Sequence, residues 1–232
     1  MKFTDVTQIA FYVIALIGLT PPLGAFMYKV FEGQKTFLTP VLGWLERLTY
    51  KIAGVNEDEE MGWKDYAKAL LWFNFFGFLA VFLLQLFQQS LPLNPANLPN
   101  VTWHSSLNTA VSFMTNTNWQ GYGGEVTMSY LTQSFGLAVQ NFVSAATGIA
   151  VFLSLARGIL RKSSSTIGNF WADLTRSTVY ILLPLSFVLA LVLVGQGVVQ
   201  SYSPYTEVVT MEGAKQSIPL GPAASQIAIK QL

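Results

Sequence analysis

The sequence contains no cysteine and only one histidine, His104. The absence of cysteine excludes disulfides, thiolate metal sites and cysteine nucleophiles, and one histidine argues against a histidine metal cluster or a catalytic triad. Charge is also scarce, because 11% of the 232 residues are charged, whereas soluble domains carry about 25%. A net charge of +1 gives no basis for binding nucleic acid. With 52% hydrophobic residues, the composition is that of a membrane protein.

Four apolar stretches are long enough for helices that cross a bilayer, which takes about 20 residues. We therefore predict an all-α integral membrane protein with four transmembrane helices. The predicted spans cover residues 1–31, 69–87, 126–156 and 177–199. The first is too long for a signal peptide, and Pro21 and Pro22 are expected to kink or end it. The loop over 32–68 is predicted to carry an interfacial helix, with Thr39 as its N-cap and Gly54 at its end.

Basic residues are distributed unequally between the loops. Ten of the 13 fall in two segments: Lys29, Lys35, Arg47, Lys51, Lys64 and Lys68, then Arg157, Arg161, Lys162 and Arg176. The N-terminal segment contributes only Lys2, and the stretch from Gln88 to Glu125 holds no basic residue. Because basic loops stay on the cytoplasmic side, we predict a multi-pass protein with its N-terminus outside. Contact with a partner is a second role for the basic residues of the later segment, and the acidic run 57–60 is interpreted as solvated.

A fifth segment, residues 101–115, is uncharged and moderately apolar but too short to cross a bilayer. It follows a proline-rich loop, and short helices at membrane depth are tolerated only where protein or a water-filled cavity surrounds them. We therefore predict a re-entrant pore half-helix over these residues. It runs into TNTNWQ, residues 115–120, inside a stretch of 56 residues from Ala69 to Gly124 that has no charge.

The order of span, half-helix, uncharged loop and span is the plan of potassium channels. A dehydrated cation needs a ring of oxygen atoms, and backbone carbonyls supply them without a fixed charge that would trap the ion. Directing successive carbonyls at one axis requires left-handed conformations, which asparagine adopts more readily than most residues. We expect Asn116 and Asn118 to adopt them, the neighbouring threonines to bridge them, and Trp119 and Gln120 to anchor the outer end. A polar loop that merely joins two helices is the alternative, and Gly-Tyr-Gly at 121–123 is weak support because Thr-Val does not precede it.

The segment LNTAVSFMTNTNWQGYGGE, residues 107–125, closely resembles the first filter segment of the KdpA family, the potassium-binding subunits of Kdp-type potassium-transporting ATPases. Further matching stretches follow in the family's order: MGWKDY (61–66), LPLNP (91–95), VQNFVSAATGIAV (139–151), SYSPY (201–205) and GPAASQIAIKQL (221–232). The resemblance implies a potassium-channel-like fold of four span–pore–span repeats in one chain. Because family members are longer, we expect an N-terminal part holding the first one and a half repeats. The second pore helix would then start within residues 200–232.

The resemblance also implies a function. Potassium from outside would enter the filter and pass through an intramembrane tunnel to the ATP-hydrolysing B subunit, in a complex with C and F subunits in the bacterial inner membrane. The potassium-binding residues would be Thr115, Asn116, Thr117, Asn118 and Gln120. No cofactor is implied, and the chain is not expected to hydrolyse ATP because it has neither a P-loop nor an Asp-Lys-Thr-Gly motif. The alternative is a truncated, non-transporting membrane assembly subunit or a gene fragment.

Polar residues outside TNTNWQ have simpler interpretations. Glu125 either begins the third span, where a helix dipole favours a carboxylate, or attracts cations to the pore mouth. Ser144 and Gly148 form a small-xxx-small pair that predicts close helix packing, and Asn74 and Gln85 are expected to hydrogen-bond within the bundle. The sequence argues against an intramembrane enzyme, which needs a Ser–His pair, paired aspartates or a metal cluster at membrane depth, because the second to fourth apolar stretches hold no acidic residue and the chain has one histidine.

Overall fold

Helices dominate the computed structural model, which describes residues 3–161 and 164–231. Four helical stretches are long and apolar enough to cross a membrane, and we call them the first to fourth long helix: Thr4–Phe31, Trp63–Ser90, Thr132–Leu160 and Phe170–Gly195. Their mean hydropathy lies between 1.7 and 2.4. The prediction of a helical membrane protein with four long apolar helices is confirmed. Lys2 and Lys162, which entered the topology prediction, lie outside the described residues.

The elements of the described chain are numbered in chain order. The α-helices are α1 (Phe3–Phe31), α2 (Thr39–Ala53), α3 (Trp63–Phe87), α4 (Trp103–Met114), α5 (Gly124–Thr127), α6 (Val139–Leu160), α7 (Phe170–Arg176), α8 (Leu183–Gly195) and α9 (Ala223–Lys230). A 3₁₀ turn, Gln88–Ser90, extends α3, and π-helical turns, Thr132–Ala138 and Ser177–Leu182, lead into α6 and α8. The strands are β1 (Met61–Gly62), β2 (Thr166–Gly168), β3 (Thr206–Val209) and β4 (Lys215–Ile218).

Two small antiparallel strand pairs join the helices, and the sequence had not predicted them. β1 pairs with β2, with Met61 opposite Gly168, and so ties the start of α3 to the segment that follows α6. β3 pairs with β4 in an exposed hairpin, with Thr206 opposite Ile218. β1 and β2 meet because the helices bring distant segments together, whereas β3 and β4 are joined by a short turn, and hydropathy gives no sign of either pair.

The long helices differ in extent from the apolar stretches that predicted them. α3 begins at Trp63 rather than at 69, and the fourth long helix begins at Phe170 rather than at 177. Hydropathy marks only the apolar part of a helix, whereas helical hydrogen bonding continues into its polar first turn. The third long helix begins at Thr132 rather than at 126, because residues 124–127 form the separate helix α5 and residues 128–131 connect the two.

α1 packs against the rest of the chain only near its C-terminal end. It continues through Pro21 and Pro22 to Phe31, so the proline pair does not end it, contrary to one of the two expectations. Its last turns, including Val30 and Phe31, join a cluster with Val179 and its neighbours in the fourth long helix. Most large apolar side chains before those turns are exposed, as expected for a helix surrounded by lipid.

The amphipathic helix α2 packs against the same part of the fourth long helix, and we call this the α2 end of the molecule. Thr39 was predicted as its N-cap, but the cap position is Leu38 and Thr39 is the first helical residue. The Thr39 hydroxyl instead accepts from the N–H of Thr36 at 2.9 Å. Gly54 ends the helix with φ of 64°, as predicted.

Ion pairs concentrate at the α2 end. Arg157 of α6 forms two hydrogen bonds with Asp173 of α7, at 2.6 and 2.9 Å, and the aspartate side chain is 3% exposed. Arg176 donates to Glu46 of α2 at 3.0 Å and also pairs with Glu57. These ion pairs connect α7 to both α6 and α2.

The acidic run 57–60 was interpreted as solvated, and all four of its residues are exposed, although the two at its ends also form ion pairs. Glu57 pairs with Arg176, while Glu60 pairs with Arg161 and accepts from Thr166. Two arginine side chains from the later basic segment thus reach these carboxylates, and the pairing of β1 with β2 lies next to Glu60.

Candidate functional site: the TNTNWQ loop

The helix α4 leads directly into residues 115–120, which we call the TNTNWQ loop. At 1.5 Å per residue its 12 residues are about 18 Å long, well short of the ~30 Å hydrocarbon core of a bilayer. Ala110 and Phe113 pack in one cluster with Val81 of α3 and Leu137 of the third long helix. The start of the TNTNWQ loop is therefore fixed between two long helices.

The backbone of the TNTNWQ loop alternates in hand. Asn116 and Asn118 both have φ of 55°, in the left-handed region, while Thr115 lies at φ −84° and ψ 5°. Only four non-glycine residues in the described chain have positive φ, and two of them are these asparagines. The prediction that the asparagines adopt the left-handed conformations is confirmed. Each such residue carries a backbone cost that neighbouring contacts must offset.

The N–H groups of the loop are held by α4. Thr115 N–H donates to the Val111 carbonyl at 3.0 Å, and both Thr117 and Asn118 donate to the Ser112 carbonyl, at 2.9 and 3.2 Å. Within residues 3–161 and 164–231, no hydrogen bond is donated to the carbonyl oxygens of residues 115–118. Four consecutive carbonyl groups are thus left with their acceptor capacity unused.

Side chains within the loop bond to one another across two residues. The hydroxyls of Thr115 and Thr117 lie 2.9 Å apart, and Asn118 Nδ2 donates to Asn116 Oδ1 at 3.1 Å. Asn116 Oδ1 also accepts from Ser144 Oγ of α6, at 3.2 Å. The threonines therefore bridge to each other, while the asparagines are linked to the third long helix.

The outer end of the loop is anchored by the main chain of Trp119 and not by its ring. The Ser112 hydroxyl donates to the Trp119 carbonyl oxygen at 3.1 Å and accepts from the Trp119 N–H at 2.7 Å. The tryptophan is 60% exposed, so the expected packing anchor is wrong for the described chain. The expected hydrogen-bond anchor at Gln120 is a single long contact, 3.4 Å from its Nε2 to the Tyr122 hydroxyl.

A cavity of about 380 Å³ lies between the end of the loop and α9. It is lined by Gln120, Tyr122, Gly123, Gly124, Glu125, Gln133, Leu137, Ala223, Gln226, Ile227 and Lys230. Burial raises the pKa of Tyr122 to about 12, although its hydrogen bond with Gln120 lowers it. The cavity therefore places one expected ion-binding residue beside one acid, Glu125, and one base, Lys230.

Glu125 does not begin the third long helix, as one of its two interpretations required. It lies in the four-residue helix α5, its side chain is exposed, and the long helix starts seven residues later at Thr132. The chain turns between these two helices because the 128–131 segment bonds to other elements, with Tyr130 N–H donating to the Leu93 carbonyl at 3.0 Å. Glu125 therefore differs from the other carboxylates in its position close to the TNTNWQ loop, and not through the dipole of a long helix.

Residues 10–232 match a family model described as KdpA: Potassium-transporting ATPase A subunit. The chain belongs to the KdpA family. Curated relatives named Potassium-transporting ATPase potassium-binding subunit include those of Pseudomonas entomophila strain L48, Pseudomonas syringae pv. tomato strain DC3000 and Sorangium cellulosum strain So ce56. They are 61%, 55% and 54% identical to this chain over 97%, 100% and 100% of its length.

This member of the KdpA family spans about 40% of the length of the curated relatives it matches: 40%, 41% and 42% for the three named. Family membership and the four long apolar helices together identify an integral membrane protein. Among the described residues, no group of three or more acidic, histidine or cysteine side chains lies close enough to hold a metal ion.

Sequence reasoning about this KdpA-family chain missed Gln88, which joins three segments behind the loop. The side chain is fully buried, and its Nε2 donates to the carbonyls of Pro99 and Thr127 at 2.6 and 2.7 Å. Its Oε1 accepts from Ser129 N–H at 3.0 Å and from Thr132 Oγ1 at 3.1 Å. The only signal was an amide side chain at the end of an apolar helix, and it does not reveal partners up to 44 residues away.

The two amide side chains that the sequence singled out in α3 form hydrogen bonds within the bundle, as predicted. Asn74 Nδ2 donates to the Leu70 carbonyl of its own helix at 2.8 Å, and Gln85 Nε2 donates to Val81 at 2.9 Å and to Ser106 of α4 at 3.4 Å. The proposed helix packing at Gly148 is absent from the described chain, because a β-carbon there would meet nothing within 4 Å.

Proposed function

We propose that the TNTNWQ loop forms one wall of a potassium-selective filter in a KdpA-type transport subunit. The observation that carries the proposal is the run of carbonyls at 115–118, which accept no hydrogen bond within the described chain while their N–H groups are held by α4. Such carbonyls can replace the hydration shell of a potassium ion without adding a fixed charge. The left-handed conformations of Asn116 and Asn118 support this role, because a regular strand would alternate its carbonyl directions.

In this proposal α4 is a re-entrant half-helix that enters and leaves on one side of the membrane. Its 12 residues are too few to cross. The segment before α4 and the segment after the TNTNWQ loop meet through the hydrogen bond from Tyr130 to Leu93. This contact supports a position of both segments on the same side of the membrane. Thr115, Asn116, Thr117, Asn118 and Gln120 are the proposed potassium-binding residues, with Glu125 at the pore mouth.

A repeated arrangement supports the proposal of one and a half span–pore–span units. α3 is followed by a loop and by α4, and α4 packs against α3. In the same way α8 is followed by a loop and by α9, and α9 packs against α8. Ser106 lies in the first short helix and Ser225 in the second. The first unit would comprise α3, α4, the TNTNWQ loop and the third long helix.

Orientation and partners complete the proposal. The described arginines of the later basic segment lie near the α2 end, which supports a cytoplasmic position for that end and an outer position for the N-terminus and the loop. The names of the relatives support a role in a potassium-transporting ATPase, and we place this complex in the bacterial inner membrane. Potassium would pass through an intramembrane tunnel to the ATP-hydrolysing B subunit, with C and F subunits in the complex. The subunit itself would hydrolyse no ATP and use no cofactor.

The test is potassium uptake by a chimaeric subunit. This chain replaces the matching segment of the full-length Pseudomonas entomophila relative, and the chimaera is expressed with that relative's partner subunits in cells that lack other potassium uptake. Asn116→Asp and Gln120→Arg are each expected to abolish growth at low potassium while growth at high potassium continues. A fixed negative charge would trap cations, and a fixed positive charge would repel them.

Matched controls separate the loop from general effects of these substitutions. Asn97→Asp makes the same change as Asn116→Asp at another exposed asparagine with positive φ, 48°, outside the loop. Gln216→Arg makes the same change as Gln120→Arg in the exposed strand β4. Both controls should support growth at low potassium. Unchanged growth of both loop variants, with normal amounts of subunit in the membrane, would reject the filter assignment.

A further inference from the structure

The third long helix places a polar side chain, that of Ser144, against the TNTNWQ loop. Ser144 is 4% exposed, and its Oγ lies 3.2 Å from Asn116 Oδ1 and 3.1 Å from the carbonyl of Asn141. The hydroxyl proton is thus divided between a bond within the helix and a bond to the loop. Asn116 Oδ1 receives a second bond from Asn118, so the two asparagines and Ser144 form one connected group.

One turn along the same helix, Gln140 is 3% exposed and its Nε2 has no hydrogen-bond partner within the described chain. Asn118 Oδ1 is likewise buried and without a partner among these residues. One atom is a donor and the other an acceptor. Leaving both unpaired away from water is costly, which makes each a strong candidate for a partner.

Gln140 and Ser144 lie on the same face of the third long helix. Four residues along an α-helix advance about 6 Å and complete about one turn, so the two side chains are neighbours on that face. Ser144 reaches the side chain of Asn116, which in turn bonds to Asn118. Gln140 is therefore a polar side chain one turn away on the helix face that meets the asparagines.

Gly77 of α3 lies directly against the side chain of Gln140. A β-carbon at this position would lie 2.3 Å from Gln140 Oε1 and 3.1 Å from its Nε2, so the glycine makes room for the amide. The clash would fall on the far end of a flexible side chain. An alanine here would therefore push the amide of Gln140 out of place, with little effect on the α3 backbone.

We propose that Ser144 and Gln140 form a two-rung hydrogen-bonded backing for Asn116 and Asn118, and that this backing, with Gly77 behind it, sets the ion selectivity of the loop. Gln140 pairs with the Asn118 side chain in the ion-occupied loop, as Ser144 does with Asn116 here. The inference rests on the proposed filter function and names its positioning residues. Left-handed asparagines hold their geometry only when surrounding contacts fix it, and a filter that relaxes accommodates ions of other radii.

The test measures selectivity in the chimaeric complex, with rubidium and sodium as probe ions in ATP-driven uptake by vesicles. The variants are Ser144→Ala, Gln140→Leu and Gly77→Ala. Each is expected to change the ratio of apparent KM values for potassium and rubidium by about three- to tenfold, the effect of losing one hydrogen bond, and to increase competition by sodium. Maximal uptake should change less than this ratio, because the residues position the filter and do not touch the ion.

Controls of the same chemistry come from the same region. Thr147→Val removes a buried hydroxyl of α6 that donates only to the Val143 carbonyl of its own helix, at 2.8 Å. Gly148→Ala adds a methyl group to a helical glycine that has open space around it. Both should leave the ion ratios unchanged. Gly77→Ala should have no additional effect in a Gln140→Ala background, because the displaced amide is then missing.

The outcomes distinguish this inference from the function on which it rests. If Gln140→Leu and Gly77→Ala retain wild-type ion ratios while Asn116→Asp loses potassium uptake, the backing is rejected and the filter stands. If neither the backing variants nor Asn116→Asp and Gln120→Arg alter uptake, the filter itself is rejected and the backing with it. An additive effect of Gly77→Ala and Gln140→Ala would also overturn the role given to Gly77.

Discussion

A single side chain, that of Ser112, forms two hydrogen bonds with the main chain of Trp119, donating to its carbonyl at 3.1 Å and accepting from its N–H at 2.7 Å. The two residues are seven positions apart, at either end of the alternating segment. The pair therefore closes the TNTNWQ loop into a ring with the last turns of α4. The carbonyl of Ser112 strengthens this ring, because Thr117 and Asn118 both donate to it.

We predict that Ser112→Ala weakens potassium uptake by the chimaeric subunit. Two partly buried main-chain groups lose their partner, at a cost of about 1 kcal/mol each, and the loop gains freedom. The apparent KM for potassium should rise roughly tenfold, with a smaller change in maximal uptake. Ser154→Ala is the control, because that hydroxyl donates only to the Val151 carbonyl of its own helix. An equal change in both variants would contradict a specific role for Ser112.

A second prediction concerns the left-handed conformation at Asn118. Glycine adopts φ of 55° without steric cost, whereas alanine there costs about 1–2 kcal/mol. Asn118→Gly should therefore retain more potassium uptake than Asn118→Ala, measured as initial rates at saturating potassium. The corresponding pair at Asn97, where φ is 48°, should not differ in uptake. Better uptake by alanine than by glycine at 118 would show that the backbone conformation is not what the loop requires.

The buried ion pair at the α2 end yields a stability prediction. Arg157→Met leaves Asp173 charged and without its bidentate partner, and should destabilise the fold by about 3–5 kcal/mol. The double variant Arg157→Met, Asp173→Leu should recover most of that loss, because no unpaired charge remains. Thermal unfolding of the purified chimaeric complex in detergent measures both.

The exposed pair formed by Lys68 and Asp65 is the control for this comparison, with side chains 71% and 70% exposed. Lys68→Met should change stability by less than about 1 kcal/mol, since solvent screens the charges. A loss at Arg157 no larger than that at Lys68 would show that the buried pair is not important for stability.

A pH prediction follows from Glu60, in the loop before α3. The hydrogen bond from Thr166, with a further contribution from Arg161, lowers the pKa of this carboxyl below its ordinary value of 4.5, against the effect of burial. A pKa lowered in the folded state means that the carboxylate stabilises the fold above pH 4.5 and that this contribution is lost as the pH falls through the folded value.

Glu60→Gln should therefore unfold at a lower temperature than the wild type at pH 7, and the difference should shrink as the pH is lowered from about 5 toward 3. Glu59→Gln, at the exposed neighbouring position, should show no comparable convergence. Parallel curves for Glu60→Gln and the wild type over this range would rule out the linkage.

The residues differ in how far the sequence could predict them, and the difference has a physical cause. Asn116 and Asn118 were predicted because the left-handed conformation is a local preference of asparagine. The N-cap of α2 was predicted at Thr39 but lies one residue earlier, at Leu38. The prediction failed because the Thr39 hydroxyl has a competing partner in Thr36. Ser144 was interpreted as a packing residue, since its contact with Asn116 joins positions 28 residues apart.

The sequence by itself determined the four long apolar helices, the short helix α4 and the alternation of Asn and Thr that follows it. Each of these depends on local hydropathy, helix length or the conformational preference of one residue. Only the tertiary structure decided that Gln88 joins three segments, that Arg157 pairs with Asp173, and that Ser144 bonds to Asn116. These contacts exist because helix packing brings distant segments within hydrogen-bonding distance, and no local pattern records which of many polar side chains will meet.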